Sequence, residues 1–260
     1  GKIGKKHHVP LILDNTAAPY ICKPLNHGAN IVVYSTTKYI GGHGLSIGGL
    51  LIDGGNFDWE KAGDRFKMLN TPDPSYHGAV WSEAAKPLGP IAYILRARVI
   101  LLRDLGSSMS PFNAFTFIQG LETLPLRMQR HCENASKIAD YLSKHDKVDK
   151  VIYPKLMSGD HLDRANKYME KGHGALVGFE LKDGVDAGKK FIDSLKLFYH
   201  VANIGDARSL AIHPSSTTHS QLSEDEKLSA GVTPGYIRLS IGLEHIDDLL
   251  EDLEQALNNS

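Results

Sequence analysis

Short apolar runs that end in polar residues mark the first fifty positions of the chain. Residues 9–13 (VPLIL) lead into Asp14, and residues 29–34 (ANIVVY) lead into the polar stretch STTK. Each run is apolar on both faces, a pattern typical of a buried parallel strand. The segment between them suits a short crossover helix over residues 24–28, and a third run follows at residues 46–52. The pattern therefore predicts part of an α/β sheet.

Helical and strand patterns alternate along the rest of the chain. Residues 57–89 are rich in proline, glycine and aromatic residues, which predicts an ordered excursion with short helical turns. Helical spacing then returns, and Ser110 followed by Pro111 is typical of a helix start. We predict helices at residues 90–106, 110–142, 187–195 and 246–257, and strands at residues 148–153, 175–181 and 236–240.

The helix predicted from Ser110 is long enough to join two domains. Gly120 and Pro125 lie inside it and are expected to bend it. We therefore predict a boundary near its middle, with residues 1–125 as one domain and residues 126–260 as a smaller α+β domain.

Composition and charge exclude several classes of partner. Hydrophobic residues make up 42% and charged residues 23% of the chain, which is typical of globular proteins. Lys plus Arg number 29 and Asp plus Glu number 30, so no basic excess favours nucleic acid. No apolar stretch approaches the roughly 18 residues of a membrane span. We expect neither a nucleic-acid partner nor a membrane.

Cysteine and histidine patterns predict neither disulfides nor a metal site. Cys22 and Cys132 lie far apart and form no CxxC pair, which favours a reducing, cytoplasmic location. The 13 histidines include no HExxH or comparable pair. The glycine-rich stretch GGHGLSIGG lacks the GK[ST] ending of a nucleotide loop, so it is either a flexible loop beside Lys38 or a turn that needs positive φ.

Asp14 and Lys38 are the most informative polar pair. Each follows an apolar strand, and the carboxyl ends of strands in an open α/β sheet form the ligand crevice. A lysine there can form a Schiff base, and a carboxylate can pair with the pyridinium nitrogen of pyridoxal phosphate. Ser35 and Thr37 offer hydroxyl groups for a phosphate. The alternative is that Asp14 caps a helix and Lys38 is a surface amine, and spacing alone leaves both open.

Four stretches of the chain together resemble one enzyme family. The first is DNTAAPYICKPLNHGANIVVYSTTKYIGGHG, and it resembles the pyridoxal-binding signature of the cysteine/methionine-metabolism family. The others are SPFNAFTFIQGLETLPLRMQRHCENA, NIGDARSLAIHPSSTTHSQLS and GYIRLSIGLEHIDDLLEDLEQAL, in the family's order. The resemblance implies pyridoxal 5′-phosphate as cofactor. It also implies an aspartate-aminotransferase-like (fold type I) protein, here the C-terminal part of the large domain plus the small α+β domain.

The resemblance assigns roles at matching positions around the cofactor. Lys38 corresponds to the lysine that forms the Schiff base and moves protons, and Asp14 corresponds to the partner of the pyridine nitrogen. Ser35 and Thr37 correspond to the hydroxyl groups that bind the phosphate.

For the substrate, the resemblance singles out three further residues. Arg238 corresponds to the arginine that binds the substrate's α-carboxylate, as a guanidinium fork can do with two parallel hydrogen bonds. Asn203 lies where several relatives have serine, beside the carboxylate site. Thr218 is expected near that arginine without touching the substrate.

Residues 55–89, which include TPDPSYHG, resemble the sulfhydrylase branch of the family. That branch implies exchange of the acetate of O-acetylhomoserine for sulfide or methanethiol, giving homocysteine or methionine in methionine biosynthesis. Methionine or cystathionine γ-lyase activity, cystathionine γ-synthase activity, and a catalytically inactive or merely oligomerising domain remain open.

The resemblance also implies family parts that this chain lacks. Family members carry roughly 150 or more residues before the DNT motif, about one domain. That region holds a phosphate loop, the aromatic residue stacked on the cofactor ring, and residues that reach a neighbouring subunit. The chain begins without methionine, so we expect a piece of a longer protein or one of two chains. A homotetramer, or a separate N-terminal chain, is expected to cover its unfinished sheet.

Overall fold

The computed structural model describes residues Gly1 to Ser260, which fold into two compact units. Unit 1 comprises residues Gly1–Thr16, Lys23–Thr36 and Ile47–Thr116, and unit 2 comprises residues Ala17–Cys22, Thr37–Ser46 and Phe117–Ser260. Each unit contains its own β-sheet, which confirms the predicted α/β class. The predicted domain boundary at residue 125 stays a prediction.

A three-stranded sheet lies in unit 1. Its strands are β1 (Ile12–Asp14), β2 (Ile31–Ser35) and β3 (Gly49–Asp53), in that order. β1 runs parallel to β2, and β3 is antiparallel to β2. All three predicted strands are confirmed, but the predicted burial of both faces is wrong for β1. Ile12 is 53% exposed and Asp14 on the same face is exposed too, so one face of β1 is open to solvent.

The helices of unit 1 are short, and several of them pack around an aromatic cluster. They are α1 (Lys2–His7), α2 (Lys67–Asn70), α3 (Trp81–Ala85), α4 (Ala92–Arg96), the π-helical segment Ala97–Asp104, and 3₁₀ turns at Pro24–His27, Gly63–Phe66, Pro74–Tyr76 and Lys86–Leu88. Trp59 stacks on Tyr93 at 5.6 Å between ring centroids and meets Phe66 edge-on at 5.3 Å. The ordered excursion predicted over residues 57–89 is therefore confirmed.

A largely buried carboxylate organises the TPDPSYHG segment. Asp73 accepts hydrogen bonds from the Ser75 backbone N–H at 3.0 Å, the Ser75 hydroxyl at 2.6 Å and the Trp81 indole Nε1 at 2.9 Å. The Arg96 guanidinium lies 3.6 Å from the same side chain. The hydrogen bonds from Ser75 and Trp81 hold the pKa of Asp73 below its ordinary value. The segment is therefore tied to α3 through one ionised group.

We expect Asp73→Asn to lower the urea midpoint of unfolding at pH 7. The hydrogen bonds that Ser75 and Trp81 donate stabilise the ionised carboxylate, which the substitution removes. Because the folded-state pKa is depressed, this stabilisation is complete above the unfolded-state pKa of about 4 and disappears as the pH falls below it. The urea midpoint, followed by tryptophan fluorescence at pH values from 3 to 7, should depend less steeply on pH in the variant than in the wild type. The exposed Asp64→Asn is the control, and equal slopes in wild type and Asp73→Asn would contradict the assignment.

Unit 2 is built on a five-stranded sheet with the order β4-β5-β8-β7-β6. The strands are β4 (Val148–Ile152), β5 (Leu176–Leu181), β6 (Tyr199–His200), β7 (Leu210–Ile212) and β8 (Tyr236–Ser240). Only the β6–β7 pair is parallel. Central strand residues such as Phe179, Ile237 and Leu239 are fully buried. The strands predicted at β4, β5 and β8 are confirmed.

Helices of unit 2 include one that also extends into unit 1. They are α5 (Pro111–Leu142), α6 (Asp160–Tyr168), α7 (Gly184–Ser194), α8 (Glu224–Ser229) and α9 (Ile246–Asn259), and α5 belongs to unit 2 from Phe117 onward. The predicted start of α5 at Pro111 is confirmed, and Pro125 lies inside it. No helix in the structure combines the length and apolar character needed to cross a bilayer.

Both cysteines are thiols in unit 2. Cys22 is partly buried, and Cys132 is buried on α5. Burial raises the pKa of both thiols, and the Glu170 carboxylate raises that of Cys22 further. Both side chains are therefore protonated at neutral pH.

Candidate active site

In unit 1, two polar side chains lie at the carboxyl ends of neighbouring strands. Asp14 ends β1 and is exposed, and its Oδ1 accepts a hydrogen bond from the Thr16 N–H at 2.9 Å. Ser35 ends β2, and its backbone N–H donates to Thr16 Oγ1 at 2.8 Å. Because β1 and β2 are parallel, both ends lie at one edge of the sheet. Asp14 and Ser35 therefore end at the same edge of this sheet, and the predicted convergence of Asp14 with Lys38 stays a prediction.

Beyond Ser35 the chain turns and passes into unit 2. Thr36 is buried, and its Oγ1 has no hydrogen-bond partner in the structure. Thr37 and Lys38 follow in the turn, both half-buried. The turn is closed by the Gly42 N–H, which donates to the Lys38 carbonyl at 2.7 Å. Gly42 has φ +74°, which lies in the left-handed region. Of the two interpretations of the glycine-rich stretch, this supports the turn that needs positive φ.

The Lys38 amine is held by an amide oxygen from a distant part of the sequence. Its Nζ donates a hydrogen bond to Asn203 Oδ1. The Asn203 backbone carbonyl in turn accepts from Arg238 Nη2 at 3.1 Å. One asparagine therefore contacts both the amine and the guanidinium, and the structure brings together three of the predicted site residues.

Arg238 lies on β8 in the middle of the unit 2 sheet. It is opposite Gly178 on β5 and Ile212 on β7. The guanidinium Nε is buried without a partner in the structure, and burial lowers the pKa of Arg238. A buried donor of this kind is costly unless it is paired, so the group is suited to an incoming carboxylate.

Thr218 lies apart from these contacts. Its side chain is exposed, and its Oγ1 contacts His219 Nδ1 at 2.9 Å. Its role beside Arg238 stays a prediction, as do the phosphate contacts of Ser35 and Thr37.

Sequence reasoning missed one buried cation near the lysine turn. Arg127 occupies the buried stripe of α5 together with Leu124, Met128 and His131. A positive charge at the spacing of core residues is the signal that could have revealed it. Its partners include the backbone carbonyls of the two residues that follow Lys38.

Comparisons with known proteins give consistent matches. The family model described as Cys/Met metabolism PLP-dependent enzyme matches residues 1–258. An O-acetyl-L-homoserine sulfhydrylase of Leptospira meyeri is 57% identical over 265 residues, covering 99% of this chain and 60% of that protein. A homocysteine synthase of Schizosaccharomyces pombe is 48% identical over 251 residues, covering 96% and 58% respectively.

A solved structure shares the fold. It is a putative O-acetylhomoserine (thiol)-lyase from Campylobacter jejuni, 43% identical, with a TM-score of 0.90 over 99% of this chain and 61% of that one. That crystal structure contains N′-pyridoxyl-lysine-5′-monophosphate. The present chain thus spans about 60% of the length of the relatives it matches.

Proposed function

This chain belongs to the family of Cys/Met metabolism PLP-dependent enzymes, and from that premise we propose that it works as part of an O-acetylhomoserine sulfhydrylase. The reaction exchanges the acetate of O-acetyl-L-homoserine for sulfide or methanethiol, in methionine biosynthesis. The observation that carries the proposal is the Asn203 contact with both an amine able to bond a carbonyl carbon and a guanidinium able to bind a carboxylate. The names of the Leptospira and Schizosaccharomyces relatives support the choice of reaction.

The residues present fit the cofactor that the family uses. Lys38 Nζ is held by a neutral amide oxygen and not by a carboxylate, so the contact is readily exchanged for a covalent bond. Asp14 offers an exposed carboxylate at a strand end, where it would pair with the pyridine nitrogen. Ser35 and Thr37 would donate their hydroxyl groups to the phosphate. When bound, pyridoxal phosphate withdraws electrons from the substrate's α-carbon.

The protein's own residues would bind the substrate and move protons. Arg238 would grip the α-carboxylate of the amino acid, with its unpartnered Nε as one of two donors. Lys38 Nζ would take the proton from the substrate's α-carbon and return a proton after the thiol has added. Asn203 would keep amine and guanidinium in register, and Thr218 would support the carboxylate site from outside it.

We further propose that the chain acts in the cytoplasm within a homotetramer. In that assembly it would act together with the region that its relatives have and this chain does not span. The proposal is supported by large apolar side chains that are exposed in this chain and that another part of the protein, or another subunit, would cover. They are Leu45, Ile47, Phe112, Phe115, Ile118 and Leu126. The two thiol cysteines support a reducing compartment.

The proposal is tested by product analysis on protein expressed from its complete gene. With pyridoxal phosphate and O-acetyl-L-homoserine, we expect acetate release that depends on sulfide, with one homocysteine formed per acetate. The matched control omits sulfide. Formation of a ketoacid and ammonia would instead assign a γ-lyase, and reaction with cysteine to give cystathionine would assign a γ-synthase. An inactive protein that binds no cofactor would contradict any enzymatic role.

A further inference from the structure

Arg127 is a buried cation without an acidic partner. Arg127 lies on α5 and is 7% exposed. The guanidinium donates to the carbonyls of Tyr39 at 2.6 Å, Ile40 at 3.1 Å and Gly120 at 2.7 Å, and its Nε donates to Thr123 Oγ1 at 3.3 Å. All of these partners are neutral, and burial lowers the pKa of Arg127. A charge buried in this way is expensive, so packing alone does not account for it.

The Arg127 contacts converge on the turn that carries the lysine. Tyr39 and Ile40 are the two residues that follow Lys38, and both of their carbonyls accept from the one guanidinium. Gly42 closes the same turn, and a Cβ added there would lie 2.4 Å from Arg127 Nη1. The planar fork therefore fills the space beside the glycine and satisfies carbonyls that the turn leaves open.

A second glycine brings the helix backbone against the same turn. A Cβ added at Gly120 would lie 2.1 Å from the Ile40 carbonyl oxygen. The helix therefore approaches the turn at a distance that no side chain permits, and Arg127 bonds across this contact to the carbonyls of both Gly120 and Ile40. At this contact the turn is held against α5 along its backbone.

Tyr39 connects the turn both to α5, through His131, and to the segment that binds the lysine amine, through Gly205. The Tyr39 ring is fully buried and meets the His131 ring edge-on at 5.3 Å between centroids. Gly205, two residues after Asn203, packs so closely on Tyr39 that a Cβ there would lie 2.6 Å from the Tyr39 backbone nitrogen. A shift of the turn would therefore change the distance between Lys38 Nζ and Asn203.

We propose that Arg127 is a positioning residue for Lys38. It fixes the two peptide units after the lysine, so that the amine meets Asn203 and the cofactor carbon from one direction. This inference rests on the proposed function only in taking Lys38 as the cofactor-bonding amine. Arg127 itself touches neither substrate nor cofactor in this role.

The test compares Arg127→Lys and Gly120→Ala with Arg130→Lys. Arg127→Lys keeps the charge but replaces a fork of donors by one nitrogen that cannot serve three carbonyls in the same geometry. Gly120→Ala disturbs the same contact from the helix side while keeping Arg127. Arg130 is an exposed arginine on the same helix and provides the matched control.

The first readout needs no cofactor. Hydrogen–deuterium exchange of a peptide covering residues 39–44 should be at least about tenfold faster in Arg127→Lys and Gly120→Ala, because the Gly42 amide loses its supported turn. A peptide covering β8 should be unchanged and serves as the reference. Unchanged exchange at residues 39–44, or equal acceleration at β8, would overturn the positioning role.

The second readout is the visible circular dichroism of the loaded protein. We expect the band per bound cofactor to fall at least about twofold in both variants while borohydride still traps the cofactor on Lys38, since the linkage persists in a looser orientation. Full-strength dichroism would overturn the proposal. If wild-type protein traps no cofactor on Lys38, the proposed function fails, whereas the exchange experiment still decides whether Arg127 holds the turn.

Discussion

Replacing Lys38 with alanine is expected to leave the protein folded but unable to hold pyridoxal phosphate covalently. The amine has one contact in the structure, to Asn203 Oδ1, so its loss removes no buried ion pair and little stability. The visible band of lysine-bound cofactor should disappear, and borohydride treatment should leave no cofactor on the protein. Sulfide-dependent acetate release should fall by at least about 10³-fold, because both the covalent linkage and the proton carrier are lost.

A second lysine separates this effect from a general loss of charge. Lys150 lies on β4 with an exposed side chain and a long contact of 3.9 Å to Glu180. Lys150→Ala should retain the full cofactor band and activity. A Lys38→Ala protein that still yields a cofactor-bearing peptide after borohydride reduction would show that another amine carries the cofactor.

Arg238→Met is expected to cost substrate binding while sparing the cofactor. The guanidinium would contribute two charge-assisted hydrogen bonds to the substrate's carboxylate from a half-buried position in which its Nε is fully buried. Losing one partner of such a pair should lower kcat/KM for O-acetyl-L-homoserine by about 10²- to 10³-fold. The absorbance of lysine-bound cofactor should remain, because the Lys38 turn is held from α5.

The control for Arg238 is an exposed arginine of the same unit. Arg164 lies on α6 and contacts only Asp160 one turn away, so Arg164→Met should leave kcat/KM unchanged. One result would refute the assignment of Arg238: the variant binds less cofactor, but the molecules that still carry cofactor keep the wild-type kcat/KM. Such a result would give Arg238 a role in the fold of the sheet.

Strong apolar periodicity made much of the fold predictable. Strands such as β5 and β8 could be predicted because five or six consecutive residues are buried or half-buried. β6 and β7 span two and three residues and depend on their neighbours in the sheet, so the chain pattern carries no signal for them. α1 contains no buried residue and α6 only Ala165, which leaves no apolar stripe to detect.

The candidate site was predictable where it follows strand ends. Asp14 and Ser35 are placed by the parallel register of β1 and β2, which the two apolar runs already imply. Asn203 is different, because 165 residues separate it from Lys38 and only the fold brings its amide to the amine. The family resemblance identified Asn203 and Arg238 as residues, whereas the asparagine contact between lysine and arginine emerges only from the structure.

The raised pKa values of Cys22 and Cys132 bear on the handling of sulfur. Thiolates attack disulfides and polysulfides, whereas protonated thiols hardly react. The proposed reaction takes up sulfide or a small thiol, and oxidation of such species gives polysulfides and disulfides. Because burial favours the protonated form of both cysteine thiols, and Cys132 is also shielded from solvent, we expect them to resist persulfidation and mixed-disulfide formation.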